Sequence, residues 1–297
     1  MPPIDSNRRL KVITITNQKG GTGKTTLTAL LAYGLAEQGY NVLMLDLDPQ
    51  AHLSSFFIKV NELENVDNGI IELAQDKKFE IRELNLGTKG KVGLIPSGLN
   101  YIVKAYRGEL PFMDPFAVYK RLVREPAITR YYDFVICDSP PELFTPTIWG
   151  LYAADFIIVP SNLEELSIIG VKLLLKDVLP DIMYTAPRDK DIKILGISII
   201  NVTKHYKPGS NALMKLRDSL IKFLKRLPRI VYEKIYKDPL FNTIIYRYDA
   251  LKDLPYRPRR YETPLKRVIE SDKELYNNIR EFTKELIDRV NNFEGLQ

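Results

Sequence analysis

The run Lys19-Gly-Gly-Thr-Gly-Lys-Thr-Thr26 gathers residue types suited to holding phosphate. Gly20, Gly21 and Gly23 let a backbone curl until its N–H groups converge on phosphate oxygens. Thr22, Thr25 and Thr26 add hydroxyls, and a helix opening at Lys24 points the positive end of its dipole at the same place. In this pattern Lys24 bridges β- and γ-phosphates while the Thr25 hydroxyl ligates Mg²⁺. The general phosphate-loop pattern has a glycine five positions before Gly23. This chain has Gln18 there and an additional lysine, Lys19, at the loop mouth. Two acidic blocks complete the set. Asp46 and Asp48 close the apolar run that begins at Val42, and Asp138 closes Phe134-Val-Ile-Cys137. A carboxylate at such a strand end can hold Mg²⁺ through a water. For Asp46 and Asp48, capping of the following turn is the plainer alternative.

These groups need a scaffold, and the apolar pattern supplies one. Lys11 to Thr16 alternates β-branched residues and reads as a strand, followed at once by the glycine cluster and a helix from Lys24 to Gln38. Val42–Leu47, Val92–Pro96, Phe134–Cys137, Phe156–Val159 and Leu195–Ile200 are short apolar runs of the kind buried on both faces, with helical patterns such as Leu166 to Leu179 between them. That alternation implies βαβ units: one α/β P-loop domain over residues 1–297, its mostly parallel central sheet flanked by helices. Residues 60–90 are polar and weakly periodic, which suggests a peripheral insertion. Three prolines disfavour a continuous helix over Pro255–Pro264. Asp272 to Phe293 carries Leu275, Ile279, Phe282, Leu286, Val290 and Phe293 on one stripe, a face expected to pack on the sheet. Cys137 sits inside a strand as core filler.

Composition narrows the function classes. With 45% hydrophobic and 27% charged residues, the 297-residue chain is an ordinary globular protein. No apolar run reaches membrane-span length and the first residues lack the apolar core of a signal peptide, so a cytoplasmic location is expected. A single cysteine excludes an intramolecular disulfide framework and a multi-cysteine metal site within one chain. The net charge of +6 is unevenly spread: residues 204–267 hold seventeen Lys and Arg against six Asp and Glu. Such a concentration points to a polyanion-binding surface, a solvated helix face being the alternative. The pattern predicts a helix over 211–227 bearing Lys215, Arg217, Lys222, Lys225 and Arg226, the candidate DNA-binding cations. Arg257, Arg259 and Arg260 lie among tyrosines farther on. Cations of this kind follow a phosphate backbone without reading bases.

Asn17-Gln-Lys-Gly-Gly-Thr-Gly-Lys-Thr-Thr26, Leu45-Asp-Leu-Asp-Pro-Gln50 and Tyr132-Asp-Phe-Val-Ile-Cys-Asp-Ser-Pro-Pro141 together resemble the deviant Walker A ATPases of the ParA/Soj/MinD family, in order and spacing. Ala154 to Pro160 extends the resemblance more loosely. It implies ATP and Mg²⁺ as ligands and an ATP-driven sandwich homodimer. In that dimer the signature lysine, here Lys19, reaches the partner's nucleotide and offsets charge on the transferring phosphate. It implies that Asp48 orients the attacking water, that Asp46 helps organise the metal site, and that Ser139 opens a γ-phosphate-sensing segment. Asn201 stands where relatives contact adenine, and Glu164 matches an acidic position near the nucleotide that a helix-start glutamate explains equally well. Ile235 to Pro239 departs from the family's Pro-Arg pair over the base. The basic third and the absence of a separate N-terminal DNA-reading domain make the chain most similar to short ParA proteins. These are nucleoid-associated partition ATPases that bind double-stranded DNA nonspecifically and answer to a centromere-binding (ParB-type) partner. Two alternatives are a MinD-like membrane-positioning ATPase and a metabolic P-loop enzyme. The first wants a basic amphipathic C-terminal helix, whereas Asp272 to Phe293 is net acidic.

Overall fold

The computed structural model describes residues 10–107, 114–187, 190–204, 206–207, 209–254 and 264–295. The strands are β1 (Lys11–Ile15), β2 (Val42–Asp46), β3 (Arg82–Leu84), β4 (Val92–Ile95), β5 (Phe134–Asp138), β6 (Phe156–Ser161), β7 (Lys193–Val202) and β8 (Ile245–Tyr246). They form one eight-stranded sheet in the order β3-β4-β2-β5-β1-β6-β7-β8. Every pairing is parallel except β3 with β4. The α/β architecture expected from the alternating pattern is therefore present as a single domain.

Side-chain alternation divides the core. Ile13 and Ile15 of β1 face α1 (Lys24–Glu37) and the long C-terminal helix Lys273–Glu294. Val12 faces the opposite layer, with Leu43, Leu45, Cys137 and Trp149. α1 is apolar around most of its circumference because it lies between the sheet and the C-terminal helix. At Gly34 the two helices touch so closely that a Cβ would fall 2.1 Å from the Thr283 hydroxyl. The apolar stripe of the C-terminal helix is buried from Leu275 to Val290. It packs on α1 as well as on the sheet. Arg289 crosses to β7, donating to the Leu195 and Leu240 carbonyls at 2.6 and 2.5 Å.

Residues 60–90 lie at one sheet edge and bury more than their polar composition implies. They supply β3 and the core side chains Leu63, Val66, Ile70, Ile71 and Leu73. The helix expected over Leu166–Leu179 begins one residue earlier, as Glu165–Leu173, and continues beyond the expected end. Its turns widen to π-helical over Leu174–Val178 and resume α-helical form over Leu179–Thr185. Pro180 has no N–H to return to the preceding turn, which accounts for the local change of register. The basic helix spans Asn211–Leu224, shorter than the expected 211–227 because Pro228 follows closely. The stretch 255–263, with Arg257, Arg259 and Arg260, lies outside the described residues.

Candidate functional site

The first strand ends centrally in the sheet, so the loop after it emerges between the carboxyl ends of β5 and β6, where open parallel sheets present ligands. Asn17 anchors the start of this loop. Its amide Nδ2 donates to the Pro160 carbonyl at 2.7 Å, and its Oδ1 accepts the Lys19 N–H at 3.1 Å. Gly170 makes room for it: a Cβ there would sit 2.3 Å from the Asn17 Oδ1. Gly23 has φ of +87° and would place a Cβ 3.2 Å from Ile200, so the loop turns in left-handed backbone space hard against β7. Gly20 and Gly21 form the exposed rim, and Thr22 is buried with its hydroxyl donating to the Lys19 carbonyl at 3.2 Å.

Lys24 is held inside the loop. Its Nζ donates to the Asn17 and Lys19 carbonyls, both at 3.1 Å, and burial pushes its pKa down against the opposing pull of Asp138 and Asp48. Lys19 shares the loop but has a half-exposed side chain, a different setting from that of Lys24. Thr25 and Thr26 follow as half-buried residues of the first helical turn.

Asp46 and Asp138 are paired in register across β2 and β5, which sets two fully buried carboxylates side by side. Burial, reinforced by the neighbouring Asp46 charge, raises Asp138 well above the usual carboxylate range, with the Thr25 hydroxyl opposing. Its Oδ1 lies 3.5 Å from the Thr28 hydroxyl, while Oδ2 is buried without a hydrogen-bond partner. Asp46 is pushed up to about 7 by burial, although the Ser54 N–H and hydroxyl both donate to its Oδ2 at 2.7 Å. Asp48 is also buried; its Oδ1 accepts the Gln50 N–H and its Oδ2 meets His52 Nδ1, each at 2.9 Å. Ser139 donates through N and Oγ to the Ile15 carbonyl, tying the segment after β5 to the base of the loop.

This donor set suits a Mg-nucleotide. An orphaned buried carboxylate oxygen beside a threonine hydroxyl matches a hydrated hard cation, with phosphate oxygens completing its shell. Two buried carboxylates and a buried ammonium next to a phosphate-sized loop are costly without such a ligand. Asn201 is half-exposed with φ of +60°, one residue beyond the Ile200 that lies against Gly23. Glu164 is exposed before the helix Glu165–Leu173, and its side chain makes no cap.

Residues 10–188, well over half of the chain, match the AAA_31 family model, described as AAA domain. The chain is a P-loop ATPase of the ParA/Soj/MinD type. An uncharacterised protein of Methanocaldococcus jannaschii, MJECL24, is 34% identical over 80% of this chain and 92% of its own. The sporulation initiation inhibitor protein Soj of Bacillus subtilis is 26% identical over 82% of this chain and 87% of its own. Among solved structures, pNOB8 ParA superposes with a TM-score of 0.82 at 24% identity, covering 95% of this chain and 99% of its own. The same protein bound to nonspecific DNA gives 0.78 at 23% identity over the same shares, a likeness of fold. Cobyrinic acid a,c-diamide synthase from Mycobacterium smegmatis, with bound ATP analogue and magnesium, gives 0.60 at 26% identity over 86% of this chain and 99% of its own.

The basic side chains of this ParA-type chain differ in their settings. Lys215 and Lys222 lie on the helix Asn211–Leu224 and Arg226 in the turn after it. With Lys172 from the helix Glu165–Leu173 they line an open cleft of about 510 Å³, around Asp218 and Phe223. Lys225 is exposed but outside this cleft, and Arg217 is paired with Asp238 at 3.1 Å. Among the described residues Lys215, Lys222, Lys225 and Arg226 have no ion-pair partner, whereas Lys204, Arg229 and Lys234 are paired with Glu274, Glu233 and Asp191. Lys172 escaped the sequence reading because it lies outside the basic third. Asn17 and Gly170 escaped because their contact joins distant segments. His52 stands four residues after Asp48 and Ser54 eight after Asp46, and of these only the first spacing offered a local signal.

Proposed function

We propose that the chain is an ATP-dependent DNA-partition ATPase. Its ATP-bound sandwich dimer binds double-stranded DNA without sequence preference, and slow Mg-ATP hydrolysis, stimulated by a centromere-binding ParB-type partner, releases it. The observation that carries the reading is a shared element. The helix Glu165–Leu173 touches the phosphate loop at Gly170 and supplies Lys172 to the unpaired basic cleft two residues later. The likeness in fold to a ParA solved on nonspecific DNA supports it.

In this reading Gly20 to Thr26 cradle the phosphates with backbone N–H groups, and Lys24 leaves its two carbonyl partners to meet β- and γ-oxygens. Thr25, Asp138 and, from the next strand, Asp46 hold Mg²⁺ and its waters. The ion, when bound, offsets the negative charge that gathers on the phosphates. Asp48 orients the attacking water, Lys19 reaches the nucleotide of the second subunit, and Asn201 contacts the base. Lys215, Lys222 and Arg226 follow the DNA backbone together with Lys172; Lys225 and Arg217 add long-range charge. Nucleoid association follows from that affinity.

The apolar stripe of the helix Lys273–Glu294 is buried in the core and is not offered to a membrane, which weighs against the membrane alternative. No helix among the described residues is long and apolar enough to cross a membrane. The test is binding to two unrelated duplexes of equal length without nucleotide and with ADP, ATP or a nonhydrolysable analogue. Sequence-independent binding confined to the triphosphate forms is expected. Binding indifferent to nucleotide, or none, refutes the reading and favours a metabolic enzyme like the synthase neighbour.

A further inference from the structure

We propose that His52 is a positioning residue for the Asp48 carboxylate, an inference that rests on reading Asp48 as the group that orients water. Ala51 adopts left-handed backbone, φ +54°, an uncommon state for a residue with a Cβ. That turn starts the short helix His52–Ser55 and brings the imidazole back over Asp48, with Nδ1 2.9 Å from Oδ2. The other oxygen, Oδ1, already accepts the Gln50 N–H at 2.9 Å. Two donors on two oxygens fix both torsions of the aspartate while leaving each oxygen a further lone pair. An ionised carboxylate only accepts, so the proton of the contact sits on Nδ1.

The turn itself does not need His52. Its backbone is closed by the Ala51 N–H on the Asp48 carbonyl at 2.8 Å and by the Gln50 contact. Ser54 secures the far end on Asp46, and its hydroxyl accepts the Ser97 N–H at 3.1 Å. The imidazole is largely solvent-exposed, its side chain 64% accessible against 9% for Asp48. What the ring adds is therefore orientation of Oδ2. Its hydrogen bond to Asp48 raises the His52 pKa above its ordinary value against partial burial. The charges facing the ring are Asp48, Asp46 and Asp138.

Asparagine tests the idea closely, since its Nδ2 stands the same number of bonds from the backbone as the histidine Nδ1. In the full-length protein, His52→Ala should lower single-turnover ATP hydrolysis about tenfold, the scale of a misplaced catalytic group. The Kd for Mg-ATP should stay within about twofold, because the lost contact acts on the reacting water rather than on ground-state binding. His52→Asn should restore most of the rate. The chain has two histidines, which makes ring NMR a clean second readout. In the ligand-free protein, Asp48→Asn should lower the His52 titration midpoint. Parental turnover in His52→Ala, or His52→Asn as slow as His52→Ala, overturns the proposal, as does a His52 titration indifferent to Asp48→Asn. Absence of turnover in the parent protein would remove the ATPase reading and this inference together; a fast His52→Ala removes the inference alone.

Discussion

The phosphate loop and the basic cleft hold their charges in opposite ways. Around the loop, Lys24, Asp46, Asp48 and Asp138 are buried, and each answers to between one and three named atoms. In the cleft, Lys215, Lys222 and Arg226 are exposed, and no single partner fixes any of them. A buried group cannot be exchanged for water without cost, so one substitution at the loop has a large effect. Exposed cations act by summed charge, screened within about 8 Å at physiological ionic strength. The loop is built for position and the cleft for density.

The contrast can be broken by substitution. Lys24→Ala should reduce Mg-ATP affinity by about a thousandfold or more, since it deletes a buried charge-assisted phosphate contact. Isothermal titration checks it, and retained tight binding would end the loop assignment. Asp48→Ala should bind ATP and still dimerise, while turnover falls by about a hundredfold. Normal turnover would remove its catalytic role. Gly170→Ala should weaken nucleotide about tenfold without touching it, because the added methyl must displace Asn17; an unchanged Kd would show that the loop does not need that anchor.

Substitutions in the cleft should be graded. Replacing Lys215, Lys222 and Arg226 together should lower DNA affinity about tenfold and reduce the salt slope by roughly three, with each single change costing only about twofold. One dominant residue would make the cleft a positioned site after all. The smallest effect belongs to Arg217→Ala. Its charge is already offset by Asp238, so its loss should weaken DNA binding less than Lys222→Ala does in the same filter or fluorescence assay.

The same contrast explains what could be read from the residues alone. The central strands and the loop were legible because their signals are local: an apolar run, a glycine cluster, an aspartate at a strand end. The short edge strands β3 and β8 were not, since three and two residues carry no period and owe their state to a neighbour. The partners of the site were equally hidden. Asn17 meets Pro160 across 143 positions, and Gly170 is defined by a contact rather than by a motif. In the basic third, composition revealed excess charge but not pairing, which is why Arg217 stood with Lys222 in the sequence and stands apart from it in the fold.

Cys137 was met as an inert piece of the central strand: fully buried, its thiol pushed up to about 12 by that burial. Since it is the chain's one cysteine, the protein is in effect blank to thiol chemistry while folded. A cysteine introduced at the exposed Ile169 would take a fluorescent label alone, without first removing a native thiol. That label would stand beside Gly170 at the phosphate loop and one helical turn from Lys172 at the cleft. A single dye could then follow nucleotide arrival and polyanion arrival in the same cuvette, and the order of the two signals would time the cycle directly.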